Sequence, residues 1–204
     1  MTTLSAMTGG TAGRGLPWGG VYSRITNYDP YVSILRKYST QYSYIDYGGG
    51  GSTFLRASIG WRKVVDPYTG NSTRSTCVHY QASPSTSVFA KQFNLPSGPT
   101  AYYTVLHNRN NPGVLTFQVN GGNLWQQSNV QWVPYLGATM GETNDLRSQM
   151  PGGWANPATF DDTRIWYNGA WRPFAGTTVW DSRYYGNARV SDTYIGIWDQ
   201  ACQS

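Results

Sequence analysis

The chain contains a single glutamate, Glu142, whose type and setting suit acid–base chemistry. It lies next to a glycine near the end of the segment 136–143, and the other nine acidic residues are all aspartates. Partial burial or a like-charged neighbour raises the pKa of a carboxyl group, which lets it take and return a proton during hydrolysis. Leu136, Ala138 and Met140 share its predicted strand face and could supply that burial. Glu142 is therefore the leading candidate for a catalytic group.

A structural role for Glu142 is the alternative. Arg56 and Arg62 lie on one face of a predicted strand, and either arginine could form an ion pair with Glu142 across the sheet. Such partly screened pairs contribute about 1 kcal/mol or less. The residues alone leave both roles open.

Other recognisable catalytic or cofactor-binding motifs are absent from the sequence. It has no P-loop, no dinucleotide-binding fingerprint, no nucleophile elbow and no HExxH helix. The two histidines, His79 and His107, have no ligand-spaced cysteine beside them, which argues against a zinc site. We expect both histidines to be ordinary strand residues, and we expect no metal and no cofactor.

Runs of alternating polarity predict the strands that would position these residues. The clearest run is Phe54–Val65, which has one apolar and one polar face. Further strands are predicted at Tyr38–Asp46 and Thr76–Gln81, with a hairpin formed by 101–107 and 114–119. The apolar face of the first run consists of Leu55, Ala57, Ile59 and Trp61, and the polar face of Arg56, Ser58, Gly60 and Arg62.

The composition is that of an all-β protein. Aromatic residues make up 15% of the chain and charged residues only 12%, and Tyr, Trp and Thr suit strands better than helices. About ten strands at spacings of roughly 8–15 residues predict a single antiparallel β-sandwich of jelly-roll or concanavalin-like type. We assign residues 18–204 to this domain and residues 1–17 to a flexible N-terminal arm.

Charge and hydropathy narrow the classes of partner. The net charge of +5 reflects few acids rather than clustered bases, so we expect no nucleic-acid binding. No segment approaches the roughly 18 apolar residues of a transmembrane helix. The composition is typical of a protein that is secreted or lies at the cell surface. The N-terminus does not have the pattern of an intact signal peptide, so either a leader has been removed or the protein reaches its location by another route.

The two cysteines, Cys77 and Cys202, allow two states. A disulfide between them would tie the C-terminus to the body of the domain and contribute about 2–4 kcal/mol of stability. Two free, buried thiols are the alternative. Their spacing does not decide between the two.

Several segments, taken in order, resemble the neprosin family of glutamic peptidases, which is distantly related to the eqolisins. The resemblance runs from about Tyr22 to Phe174 and depends on the order and spacing of the segments rather than on any single one. The segments are Tyr38-Ser-Thr-Gln-Tyr-Ser-Tyr-Ile45, Ala57-Ser-Ile-Gly-Trp61 followed by Val65-Asp-Pro-Tyr68, Thr76-Cys-Val-His-Tyr80, the hairpin 102–119, Gln131-Trp-Val-Pro-Tyr135, Met140-Gly-Glu-Thr143 and Ser148-Gln-Met-Pro-Gly-Gly153.

The resemblance implies a secreted sandwich whose concave sheet binds extended polypeptide and carries two acidic or amide side chains. The second catalytic carboxylate of the family falls on Glu142, and the first falls on Ser58, two residues before Gly60. A serine carries no charge and cannot replace a carboxyl in proton transfer. The chain is therefore either a glutamic endopeptidase with a replacement partner for Glu142 or a catalytically lapsed relative. Candidates for that partner are Gln118, Gln126 and Asp46.

The aromatic residues support a second class of function. Trp and Tyr rings set among amides and hydroxyls suit stacking on sugars or on proline-bearing peptides. A carbohydrate-binding sandwich is therefore the alternative, and it should show tryptophans in an open row away from Glu142. A structural subunit of a surface assembly is a third class, suggested by composition and the N-terminal arm alone. We assign ligand binding to Arg56, Gln118, Trp125, Gln126, Trp132 and Gln149.

Overall fold

The structure, a computed structural model, describes most of the chain. The described residues are 2–3, 5–9, 18–33, 38–48, 54–81, 83, 86–108, 113–130, 136–143, 151–153, 155–167, 169–174, 176–180 and 185–199. For some strand residues, Glu142 among them, the description covers the backbone.

The described residues form seventeen strands, more than the sequence predicts, because several are short pieces at sheet edges. The long alternating run is a strand over the predicted residues. In chain order the strands are β1 (Thr2–Thr3), β2 (Ser5–Gly9), β3 (Trp18–Thr26), β4 (Tyr38–Gly48), β5 (Phe54–Val65), β6 (Ser72–Tyr80), β7 (Phe89–Phe93), β8 (Thr100–His107), β9 (Leu115–Val119), β10 (Gly122–Gln127), β11 (Leu136–Thr143), β12 (Gly152–Gly153), β13 (Asn156–Tyr167), β14 (Ala170–Pro173), β15 (Gly176–Trp180), β16 (Tyr185–Ser191) and β17 (Tyr194–Asp199).

Two facing sheets confirm the predicted β-sandwich. The first sheet has the order β1-β11-β4-β5-β6-β7. The second has the order β10-β9-β8-β3-β13-β12-β17-β16, with β14 paired to β13. Among the described strands, neighbours run antiparallel except β12 and β17, which pair in parallel. A small separate sheet joins β2 and β15.

The core forms where the apolar faces of the two sheets meet. Ala57, Ile59 and Trp61 of β5 are fully buried, as their alternation predicts, and belong to one cluster with Val21 and Phe117 of the second sheet. Burying one large apolar side chain contributes about 1.5–3 kcal/mol. These contacts hold β5 in the centre of the first sheet.

The opposite face of β5 is also withdrawn from solvent, which its polar residues did not predict. Ser58 on that face is only 4% exposed, although it points away from the core. The reason is that this face forms the floor of a groove rather than open surface.

Polar groups are interleaved with the apolar core and join the sheets. The Trp61 indole donates from Nε1 to the carbonyl oxygen of Thr26 at 2.9 Å, which links β5 to β3. The hydroxyls of Ser23 and Thr163 lie 2.7 Å apart, and those of Thr26 and Thr159 lie 2.8 Å apart. Because buried polar groups need partners, these bonds favour one register of β3 against β13.

A β-bulge interrupts the pairing of β13 with β3. Arg24 pairs with Asp161, but the next outward position of β3, Tyr22, pairs with Arg164. Over this stretch β13 therefore holds one residue more than β3. Asp162, within the bulge, has a left-handed backbone with φ of 47°, a conformation that bulges often contain.

The bulge reverses which residues of β13 face the core. Before it, the even-numbered Ala158 and Phe160 are fully buried, whereas after it the odd-numbered Thr163 is buried. Trp166, an even-numbered residue beyond the bulge, pairs with Gly20 and lines a cleft on the outer face of the second sheet. An aromatic residue thus lies outside the core because of one extra residue.

The N-terminal residues form strands where the structure describes them. Thr2–Thr3 pairs with β11 at Thr143 and Glu142, and Ser5–Gly9 pairs with β15. Their mobility, and the domain boundary at residue 18, stay predictions. Within the described ranges, no helix is long and apolar enough to cross a membrane.

Candidate functional site

A groove lies on the outer face of the first sheet, on the side away from the core. It encloses about 340 Å³ and is lined by side chains of β4, β5, β6 and β7. Aromatic rings, hydroxyls and cations share its walls, and such a mixture can hydrogen-bond a polypeptide backbone while packing against its side chains. The lining includes Tyr38, Tyr42, Arg56, Ser58, Arg62 and His79.

Strand register places the backbones of the two predicted catalytic residues in different rows of the first sheet. Glu142 pairs with Thr40 of β4, which pairs with Arg62 of β5. Ser58 lies four residues before Arg62 on β5 and pairs with His79 of β6. The Glu142 backbone is therefore level with Arg62 and not with Ser58.

The separation of these two rows is large for a catalytic pair. Four residues along a strand span about 13 Å, and the two strand spacings from β11 to β5 add about 10 Å sideways. A general base acts on a group within hydrogen-bond reach or through one water molecule. The register does not bring Glu142 and Ser58 together as a dyad.

Arg56, which the sequence assigns to ligand binding, is bonded to its own sheet. Its Nε and Nη2 donate to the two carboxylate oxygens of Asp46 at 2.7 and 2.8 Å, and its guanidinium lies 4.0 Å from the centroid of the Tyr44 ring. Burial acts to lower the pKa of Arg56, but the hydrogen bonds to Asp46 together with electrostatic interactions with Asp46, Tyr42 and Tyr44 outweigh it, so the pKa is raised. Asp46 is thus the partner of Arg56. It lies six residues from Thr40 along β4, about 20 Å from the Glu142 row.

None of the ion pairs between side chains that the structure describes includes Arg62. Its guanidinium lies 4.1 Å from the centroid of the Tyr38 ring, and its Nε is buried without a hydrogen-bond partner. An unused Nε–H donor in a groove suits a carboxylate or carbonyl oxygen of a ligand. Because Arg62 shares the Glu142 row, it also stays the better placed of the two arginines for the predicted structural ion pair.

Two of the three amides assigned to ligand binding lie on the other side of the molecule. Gln118 of β9 and Gln126 of β10 both line a cleft on the outer face of the second sheet. The whole sandwich separates them from Ser58 and from the Glu142 row. The structure therefore does not place either amide, or Asp46, beside Glu142 as a replacement partner.

Trp125, one of the two predicted tryptophan ligands, does not join the groove either. Trp125 is half-buried between the sheets, where its ring stacks on Phe89 with centroids 5.2 Å apart. It extends the core at the β7–β10 end of the sandwich. Trp132 and Gln149 lie outside the described residues, so their assignment stays a prediction.

His79 lines the groove opposite Ser58, although the sequence indicated an ordinary strand histidine. The two residues are each seven positions from the facing ends of their strands, Val65 and Ser72. The pairing of Val65 with Ser72 beside the connecting turn sets this register. The pairing brings a hydroxyl and an imidazole together in the groove.

Cys77 also lines the groove and is a free, buried thiol. Burial raises the pKa of the Cys77 thiol, while a hydrogen bond with Ser75 and the charge of Arg62 oppose that rise. Cys202 lies outside the described residues. A free Cys77 fits the free-thiol alternative rather than the disulfide.

Unfolding without reductant is expected to expose two reactive thiols per chain. In the folded protein, Cys77 should react more slowly than in the unfolded chain, because a raised pKa leaves less thiolate at a given pH. A Cys202→Ser variant isolates Cys77, and the pH dependence of its alkylation rate reports the pKa. Adding Arg62→Met should slow the reaction further. A count of zero thiols in the unfolded, unreduced protein would show the disulfide instead.

Three solved structures are similar to this fold over nearly the whole chain. Scytalido-glutamic peptidase with a peptide-based transition state analog has a TM-score of 0.62 at 13% identity, covering 97% of both chains. The same peptidase with a transition state analog inhibitor has a TM-score of 0.64 at 14% identity, covering 97% of this chain and 98% of that one. SCP-B, a member of the eqolisin family in complex with the tripeptide Ala-Ile-His, has a TM-score of 0.57 at 14% identity, covering 97% and 96%.

No protein-family model and no curated protein sequence matches the chain. Identities of 13–14% establish a shared architecture and leave the chemistry of the site to its own residues. The chain has the β-sandwich fold of the eqolisin-type glutamic peptidases.

Proposed function

We propose that this protein binds extended polypeptide in the groove of its first sheet and is a catalytically lapsed, neprosin-like relative of the glutamic peptidases. The observation that carries the proposal is Ser58, at the position where the resemblance places the first catalytic carboxylate. A serine hydroxyl can hold a ligand by a hydrogen bond, but it cannot replace a carboxyl group in the proton transfers of a carboxyl pair. The low charge and aromatic-rich composition support a secreted or cell-surface location.

The groove has the groups that an extended peptide needs. Tyr38 and Tyr42 supply aromatic faces, and Arg62 supplies a buried Nε–H donor for a carbonyl or carboxylate oxygen. Structures of the same fold hold a peptide-based transition state analog and a tripeptide. These observations support a polypeptide ligand over a small molecule.

The surroundings of the Glu142 position support the loss of catalysis. Its register partners are Thr3 and Thr40, and the next strand contributes Arg62 to the same row. None of these three residues is an acid or an amide. A nearby cation also favours an ionised carboxylate over one poised to donate a proton.

Neither the wild-type protein nor a Glu142→Gln variant is expected to cleave a denatured, proline-containing protein between about pH 3 and 7. Mass spectrometry of the incubated substrate measures cleavage, and pepsin serves as a positive control at acid pH. Acid-range cleavage by the wild type that disappears in the variant would contradict the lapse and establish a glutamic peptidase.

Binding forms the second arm of the same experiment, with labelled casein as the unfolded polypeptide and fluorescence anisotropy as the readout. Ala90→Trp adds a large ring to the groove wall and should weaken binding about tenfold or more. Ala188→Trp adds the same ring to an exposed alanine of the second sheet and should bind like the wild type. Equal affinities for the two variants would exclude the groove as the binding site.

A further inference from the structure

A second candidate ligand surface lies on the opposite side of the sandwich. Two clefts of about 520 and 640 Å³ open on the outer face of the second sheet, and both are lined by Gln118 and Trp171. Because they share these residues, they form one continuous surface. We call it the aromatic face and define it by Tyr22, Tyr102, Gln118, Gln126, Trp166 and Trp171.

The four rings of the aromatic face form a row. The Trp166 and Trp171 centroids are 5.3 Å apart, those of Trp171 and Tyr22 are 4.6 Å apart, and those of Tyr22 and Tyr102 are 5.8 Å apart. Each contact is edge to face, and all four side chains are half-buried. The row therefore presents ring surface to solvent instead of filling the core.

Hydroxyl and amide groups extend from these rings across the neighbouring strands, at positions that pair with one another. Tyr22 pairs with Thr104, Thr104 with Gln118, and Gln118 with Asn123. The Gln118 amide donates to the Asn123 side-chain oxygen at 2.9 Å. The row crosses β3, β8, β9 and β10, about 14 Å of sheet. It offers both donors and acceptors along its length.

The charged groups of the aromatic face compensate each other. Arg164 donates to the Asp162 carboxylate at 2.7 Å, and the Tyr22 and Tyr102 hydroxyls donate to the same carboxylate at 3.4 and 3.5 Å. The bulge and the left-handed backbone of Asp162 place this carboxylate beside the rings. A balanced carboxylate among hydroxyls favours an uncharged, hydroxyl-rich ligand over an acidic polymer.

We propose that the aromatic face binds a neutral oligosaccharide. A sugar ring has an apolar C–H face and a rim of hydroxyls, and the aromatic face matches the first with Trp171 and its neighbours and the second with Gln118 and Asp162. The row includes two tryptophans and lies on the sheet opposite the Glu142 row, which is the placement expected of a sugar binder. The site is separate from the groove and does not depend on polypeptide binding there.

The test uses the full chain and a panel of neutral hexasaccharides derived from cellulose, xylan, mannan and chitin, with isothermal titration calorimetry. At least one is expected to bind. Trp171→Ala and Gln118→Ala should each weaken that binding about tenfold or more. Tyr68→Ala removes a ring that is 87% exposed on a distant turn and should bind like the wild type. Ala90→Trp, in the groove, should also leave sugar affinity unchanged.

Absence of binding by the whole panel at millimolar sugar would overturn the proposal, as would unchanged affinity in both aromatic-face variants. If casein competes with the sugar and Trp171→Ala abolishes that competition, the aromatic face binds polypeptide instead. A dimer seen by sedimentation and lost in Trp171→Ala would assign it to a second copy of the chain. Circular dichroism checks that each variant is folded. If Trp171→Ala is not folded, Gln118→Ala alone provides the test.

Discussion

Replacing Asp46 with alanine is expected to destabilise the protein by about 2–3 kcal/mol. The Asp46 side chain is 4% exposed and accepts two hydrogen bonds from Arg56, so its removal leaves a partly buried guanidinium without its partner. The Arg56 side chain remains 36% exposed, and water reaching it keeps the loss below that of a fully buried pair. Urea unfolding followed by tryptophan fluorescence measures the free energy of unfolding.

The double variant Asp46→Ala, Arg56→Met is the matched control. It removes the charge that the single variant leaves without a partner, and it keeps much of the apolar stem of Arg56 over the Tyr44 ring. We expect it to recover most of the lost stability, because the cost arises from the unpaired charge. A double variant as unstable as Asp46→Ala would show that Asp46 acts through some other contact.

Gly60→Ala is expected to destabilise the protein by about 3 kcal/mol or more and to alter the groove floor. A Cβ on Gly60 would meet the carbonyl oxygen of Gln41 and would lie 2.5 Å from the Cα of Tyr42. Both obstacles are backbone atoms of β4, which cannot rotate away as a flexible side chain could. The β4–β5 ladder would have to shift, and the same unfolding assay measures the cost.

Gly153→Ala is the control for the loss of a strand glycine. A Cβ on Gly153 would meet no atom within 4 Å, so the expected change is about 0.5 kcal/mol or less. Comparable losses for the two variants would mean that the close approach of β4 to Gly60 does not limit the sheet.

The sandwich could be predicted because its signals are local. Alternation along Phe54–Val65 places Ala57, Ile59 and Trp61 on one face whatever the partner strand is, and the structure buries all three. The short turn that follows joins β5 to β6, and its ends at Val65 and Ser72 fix the register that pairs Ser58 with His79.

The arrangement of the candidate site could not be predicted in the same way. The level of Glu142 relative to Ser58 depends on the register of β11 against β4, and these strands pair residues about a hundred positions apart in the chain, such as Glu142 and Thr40. Alternation shows that Gln118 lies on the polar face of its strand, but not which sheet that strand joins. Long-range pairing decides both points, and a single sequence does not encode it locally.

The extra residue in the β13 bulge determines which face of the sheet each later side chain of the strand occupies. Deleting Asp162 would restore simple alternation, and the residues from Thr163 to Trp166 would exchange faces. Trp166 would turn from solvent into the core, and Thr163 would lose its partner Ser23. A one-residue deletion would thus erase a surface without removing any of the rings that form it.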